Sequence, residues 1–285
     1  MNIDKLFKNV AKNGVVCLGL DTSPAYIPEE FKKNYGTPGK AVFAFNKKLI
    51  DATHDVVACY KVQIAYYEAL GLDGLAAYAE TLKYIKSVGQ LVIADIKRGD
   101  IKETAEMYAK AHFSGDFEAD FVTLNPYMGM DTLEPFEPYF AKGKGCFALM
   151  RTSNTGSFDI QYLTTDIGKK VYEIVGEKLQ KLGKKYMGEC GYSSVGAVMG
   201  ATNTDEIKKL REMLATTFLL IPGFGAQGGS AGDAALFLKD GNGGVVNSSR
   251  AILTAYKKHP DGSERFEHYA REETVRMRDA IGGCL

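Results

Sequence analysis

Eight short runs of β-branched and aliphatic residues recur along the chain, and what lies between them decides what it can fold into. They are Val15–Leu20, Val56–Val62, Leu91–Asp95, Phe121–Leu124, Cys146–Met150, Val195–Met199, Phe218–Ile221 and Gly244–Val246. Segments with helical periodicity separate them, among them Leu75–Ser87, Glu103–Phe113, Ile167–Leu182, Asp205–Leu214 and Gly232–Leu238. Such alternation implies βα units and a parallel sheet. The runs are almost continuously apolar, as strands covered on both faces must be. Eight units close naturally into a (β/α)8 TIM barrel; a doubly wound open sheet is the rival arrangement. Amphipathic segments at about Ile3–Asn13 and Ser263–Ala280 predict extra N- and C-terminal helices packed outside.

The 285 residues exceed the usual single-domain length, yet α/β barrels commonly reach about 250 as one unit. No internal repeat, low-complexity tract or Pro/Gly/Ser-rich linker marks a boundary, so one domain over 1–285 is expected. Two connections are long, 22–55 and 152–194, and each is expected to hold a helix plus a loop insertion. With 35 basic and 35 acidic residues, no global field favours nucleic acid or an anionic membrane, so any anion site must be local. The five cysteines (Cys17, Cys59, Cys146, Cys190, Cys284) show no C-x-x-C spacing and fit reduced thiols. Charge in the first residues, Met-Asn-Ile-Asp-Lys, and the lack of an apolar run near 20 residues predict a cytoplasmic protein.

The third run ends Leu91-Val-Ile-Ala-Asp95-Ile-Lys97-Arg-Gly-Asp100-Ile101-Lys-Glu-Thr104. Side chains alternate along a strand, so Asp95 and Lys97 share a face with Leu91 and Ile93, and a barrel would carry both charges to its C-terminal mouth, where active sites lie. On the second run Val57, Cys59 and Lys61 share a face in the same way, and the first run ends in Asp21. Gly99 interrupts the alternation before Asp100, which can turn back into its own site or toward a neighbouring subunit. A structural ion-pair network is the plain interpretation of one such pair; four charges at two strand ends favour a reaction centre. A lysine held between carboxylates stays protonated, which suits it to stabilise and protonate a carbanion rather than form a Schiff base.

After the seventh run stands Ile221-Pro222-Gly-Phe-Gly-Ala-Gln227-Gly-Gly, and after the eighth Asn247-Ser-Ser-Arg250. Loops at these two places form the usual phosphate site of such barrels. Gly223-x-Gly225-x-x-Gly228 also matches a dinucleotide fingerprint, but as a lone motif near the C-terminal end, without following βαβ units, it is a weak sign of a nicotinamide or flavin site. The histidines (His54, His112, His259, His268) have no ligand spacing and are expected on the surface or in packing.

At these residues the chain resembles the orotidine 5′-phosphate decarboxylase family, and more closely its longer bacterial branch. The signature aliphatic-x-Asp-x-Lys-x-x-Asp-Ile-x-x-Thr is met by Ile93, Asp95, Lys97, Asp100, Ile101 and Thr104, and the likeness spans roughly 15 to 253. The resemblance implies metal- and cofactor-free conversion of orotidine 5′-phosphate to uridine 5′-phosphate in pyrimidine biosynthesis. It makes Lys61, Asp95, Lys97 and Asp100 the catalytic network, with Lys97 protonating C6 of the pyrimidine and Asp95 lying against the departing carboxylate. Asp21 and Lys61 would touch the ribose, Ser153 the pyrimidine, and Gln227 and Arg250 the phosphate, with Pro222 beside them. Asp100, Ile101 and Thr104 would reach into the partner subunit of a homodimer. Lys102 departs from the small residue or proline usual in the family, and Asn247-Ser-Ser-Arg250 from a shorter Gly-Arg. A magnesium-dependent sugar-phosphate enzyme of the same barrel type would carry a glutamate ligand where Lys61 stands. A non-catalytic phosphate-ligand binding protein is the alternative from another class.

Overall fold

The protein, seen here in a computed structural model, is described over residues 1–200, 204–222 and 230–285. Eight parallel strands close into a barrel in chain order. They are β1 (Val16–Gly19), β2 (Cys59–Gln63), β3 (Val92–Arg98), β4 (Phe121–Leu124), β5 (Gly145–Arg151), β6 (Ser193–Met199), β7 (Thr217–Ile221) and β8 (Gly244–Ser248). Closure is made by β8 on β1, with Val16 opposite Val246 and Leu18 opposite Ser248. The eight expected strands and the TIM barrel are thus observed. The largest shift at a strand start is in β2, which begins three residues later than expected, with Val56, Val57 and Ala58 buried ahead of it. The carbonyls of Val57 and Ala58 serve a helix instead, since Asn13 donates to the first at 3.0 Å and Asn9 to the second at 2.9 Å.

That helix is α1 (Asn2–Asn13), which presents Ile3, Leu6 and Val10 to the core and lies against the strands. Around the barrel follow α2 (Pro38–Thr53), α3 (Gly71–Ser87), α4 (Lys102–Phe113), α5 (Val171–Gly183), α6 (Thr204–Met213), α7 (Ala231–Leu236) and α8 (Phe266–Gly282). The two long connections contribute α2 and α5, each with loop. The α2 helix opens on a Thr37 cap with Pro38 in the first turn, and buries Ala41, Val42, Phe45, Leu49 and Ile50 at helical spacing. Phe45 stacks on Phe266 of α8 at 4.8 Å between ring centres, which fixes the C-terminal helix outside the barrel. Helix α5 begins at Val171, not at Ile167 as the periodicity suggests, because Gly168 takes φ 76° in a turn closed by Thr165 N donating to the Lys169 carbonyl at 2.8 Å.

No helix among the described residues is long and apolar enough to cross a membrane.

Candidate active site

The ladder between β3 and β4 breaks between Ala94 and Arg98. A bulge of this kind strands backbone N–H groups and re-aims side chains. Here Thr123 of β4 meets the need: its Oγ1 accepts from the backbone N–H groups of Ile96 and Lys97, both at 2.9 Å. Its own O–H donates to Asp95 Oδ1 at 2.9 Å. Lys97 takes φ 46°, a left-handed backbone that costs a non-glycine residue about 1–3 kcal/mol. Strict alternation along β3 was the expectation for the shared face of Asp95 and Lys97. The two side chains do meet, but through the bulge, not through the pleat.

Asp95 is only 5% exposed and saturated with charged donors. Lys97 Nζ donates to Oδ1 at 2.6 Å and Lys61 Nζ to Oδ2 at 2.8 Å. Lys61 in turn holds Asp21 Oδ1 at 2.9 Å, and Ser249 donates to Asp21 Oδ2 at 2.9 Å. The row therefore runs Ser249, Asp21, Lys61, Asp95, Lys97, across the mouth from β8 to β3. Burial alone would raise the Asp95 carboxyl and lower the Lys61 ammonium. The ammoniums of Lys61 and Lys97 reverse the first and hold Asp95 well below the carboxylate range. The carboxylates of Asp21 and Asp95 reverse the second and push Lys61 above the ammonium range. Lys61 is locked between two anions, whereas the Lys97 side chain touches one and is 47% exposed.

Two glycines make this approach possible. A Cβ on Gly19 would stand 1.9 Å from Ser249 Oγ, and one on Gly99 would stand 2.3 Å from the Asn125 carbonyl at the end of β4. Neither glycine is needed for its φ; each is needed for room.

Of the residues expected at the site, Asp21, Lys61, Asp95 and Lys97 are brought together. Asp100 is not joined to them within this chain: its Oδ1 accepts from the Ile101 backbone at 2.8 Å, and among the described residues it makes no salt bridge. Ile101 is 52% exposed, and Thr104 is exposed at the start of α4. Lys102, where the family pattern has a small residue or proline, takes φ 38° as the chain enters that helix. Ser153 is exposed just after β5 and packs on Gly200 at the end of β6, where an added Cβ would stand 2.9 Å from its own. Pro222 follows β7 and is half-buried. Gln227 and the glycine-rich segment 223–229 lie outside the described residues. Arg250 is exposed at the start of a single helical turn, Arg250–Leu253, after β8. His112 is buried in packing beside Phe117.

A family model described as "Orotidine 5'-phosphate decarboxylase / HUMPS family" matches residues 14–262. The chain belongs to this family. Among curated relatives, the orotidine 5′-phosphate decarboxylase of Clostridium novyi (strain NT) is 60% identical over 281 residues, 98% of each chain. That of Clostridium perfringens is 61% identical over 282 residues, 99% of this chain and 98% of the relative. Of solved structures, Leishmania donovani OMP decarboxylase aligns with a TM-score of 0.75 at 30% identity over 98% of both chains. Leishmania donovani UMP synthase aligns at 0.76 and 32% identity over 98% of this chain, which spans 56% of that longer protein.

Sequence reasoning missed two residues of the site in this decarboxylase-family barrel: Ser249 at one end of the row and Thr123, which donates to Asp95. Thr123 was concealed in an apolar strand, Phe121-Val-Thr-Leu124, where a lone hydroxyl was the only sign. Ser249 was visible only as part of the unusual Asn247-Ser-Ser-Arg250.

Proposed function

We propose that this chain decarboxylates orotidine 5′-phosphate to uridine 5′-phosphate, as its relatives' names describe for them, within a single barrel domain spanning 1–285. The observation that carries the reading is Asp95 gripped by Lys61 on one oxygen and by the more exposed Lys97 on the other. The bond from C6 to the carboxylate breaks, carbon dioxide leaves, and the electron pair stays on C6. No adjacent carbonyl delocalises that pair, so a fixed positive charge must stabilise it. Lys97 supplies the charge and then the proton, and regains its own proton from water. Asp95, lying against the substrate carboxylate, keeps that ammonium in place before and after the event. Lys61 stays locked between Asp21 and Asp95, supplying the positive charge that a divalent ion would supply in the magnesium-dependent alternative.

Asp21 and Lys61 would contact the ribose, Ser153 the pyrimidine, and Pro222, Gln227 and Arg250 the phosphate end. Phosphate binding far from C6 supplies binding energy for closing the site. The active unit would be a homodimer, Asp100, Ile101 and Thr104 of each subunit completing the site of the other. Exposed Ile101 and Met107 at α4, with Tyr127 and Met128 after β4, provide apolar area suited to such an interface. An enzyme drawing on nucleotide pools would work in the cytoplasm.

The test follows the ultraviolet absorbance of orotidine 5′-phosphate with the unmodified chain and Lys97→Ala in parallel. Turnover confined to the unmodified chain is the expected result. Equal rates for the two would refute the role of Lys97, and no turnover by either would refute the reaction.

A further inference from the structure

Asp21 stands two residues past the end of β1, beyond the reach of the barrel ladder. The last backbone bond on this side is Leu20 N to the Lys61 carbonyl, at 2.7 Å. Lys61 and Ser249 hold the Asp21 carboxylate from the mouth, and the backbone that carries it is held from behind. The Tyr67 hydroxyl donates to the Leu20 carbonyl at 3.1 Å, and Thr22 Oγ1 donates to Asn46 Oδ1 at 2.7 Å. Asn46 Nδ2 then donates to Tyr67 Oη at 2.8 Å and to Thr81 Oγ1 at 3.2 Å. Thr81 passes its proton to the Ala77 carbonyl at 2.7 Å. Thr22, Asn46, Tyr67 and Thr81 are all 0% exposed.

Packing alone would not place these groups here. Asn46 lies on the buried stripe of α2 between Val42 and Ile50, where an aliphatic side chain fills the same space without desolvating an amide. Each hydroxyl donates once and accepts once or not at all, and the Asn46 amide uses both donors and its acceptor, so the network has one arrangement. A satisfied buried network of this kind fixes geometry more tightly than apolar contact does. Its two outlets are the residues on either side of Asp21.

Resting on the decarboxylase reading, we infer that Thr22, Asn46 and Tyr67 are positioning residues that set the Asp21 carboxylate, and through it Lys61, for the reaction. The 22–55 connection then has a purpose: α2 brings Asn46 to the back of the site.

Thr22→Val and Tyr67→Phe keep shape and remove one hydroxyl each; Thr22→Ser keeps the hydroxyl. We expect kcat/KM for orotidine 5′-phosphate to fall about tenfold in the first two, and Thr22→Ser to stay within about twofold of the unmodified chain. In an Asp21→Asn background, Thr22→Val should cost less than about twofold more, because its effect passes through Asp21. Unchanged kcat/KM in Thr22→Val and Tyr67→Phe would overturn the inference. So would an equal loss in both backgrounds, which is what general destabilisation gives. If the unmodified chain shows no turnover, the reaction is wrong, and a crystal structure of Tyr67→Phe decides the positioning by itself. Asp21 keeping its contacts to Lys61 and Ser249 would count against it, and a displaced Asp21 would support it.

Discussion

Thr123 donates to Asp95 Oδ1 at 2.9 Å with the same oxygen that accepts the stranded backbone N–H groups of Ile96 and Lys97. One hydroxyl thus pays for the bulge and aims the central carboxylate. Without it, the N–H groups of Ile96 and Lys97 lose their acceptor, and Asp95 Oδ1 is left with Lys97 alone.

Thr123→Val is therefore expected to lower kcat/KM by about tenfold to a hundredfold, the worth of a hydrogen bond to a charged group, while Thr123→Ser stays near the unmodified value. Steady-state kinetics on both variants check this. A valine variant as active as the serine one would show that the hydroxyl aims nothing.

The two lysines should separate cleanly by experiment. Lys61→Met leaves Asp21 and Asp95, with side chains 21% and 7% exposed, without their shared cation, and should lower the unfolding free energy by about 3–5 kcal/mol. Lys97→Ala removes a half-exposed group and should leave stability within about 1 kcal/mol while turnover falls by at least about a hundredfold. Urea unfolding beside activity measurements gives both numbers. Equal destabilisation by the two substitutions would contradict the arrangement described.

A site completed across a dimer predicts complementation. Asp100→Asn and Lys97→Ala should each be inactive alone, yet activity should return when the two are unfolded together and refolded as a mixture, because a mixed dimer holds one intact site. Failure of the mixture to exceed its components would show that Asp100 serves its own chain.

His112 gives a pH test away from the chemistry. Burial, with the Arg98 charge adding to it, lowers its pKa to about 4, from an ordinary value of about 6.5. The unfolded chain therefore binds more protons between those values. Stability from this group is complete above pH 6.5 and is lost as pH falls toward 4, by about 2 kcal/mol between pH 7 and pH 5. Urea unfolding of His112→Leu at both pH values should lack that increment. Asp95 behaves likewise lower down, its contribution present above the carboxylate range and lost only in strong acid; that of Lys61 is lost only as pH rises past the ordinary ammonium range.

Eight strands and the TIM closure were legible because a strand covered on both faces must be apolar along its length, and helices between must be amphipathic; both are properties of neighbouring residues. Lys61, Asp95 and Lys97 were legible for the same reason, as charges where the local pattern calls for aliphatic side chains. The start of α5 was misread because a hydrophobic period says nothing of the turn at Gly168 that precedes it.

Sequence alone thus determined the barrel, its order of elements and the charged ends of β2 and β3. Tertiary structure decided the rest. Ser249 reaches Asp21 across 228 positions only because β8 closes on β1, and Thr123 meets Asp95 only because the register of β3 slips against β4. Such partners depend on how strands pair, and pairing is set by the packing of the whole barrel, which no local stretch of residues encodes.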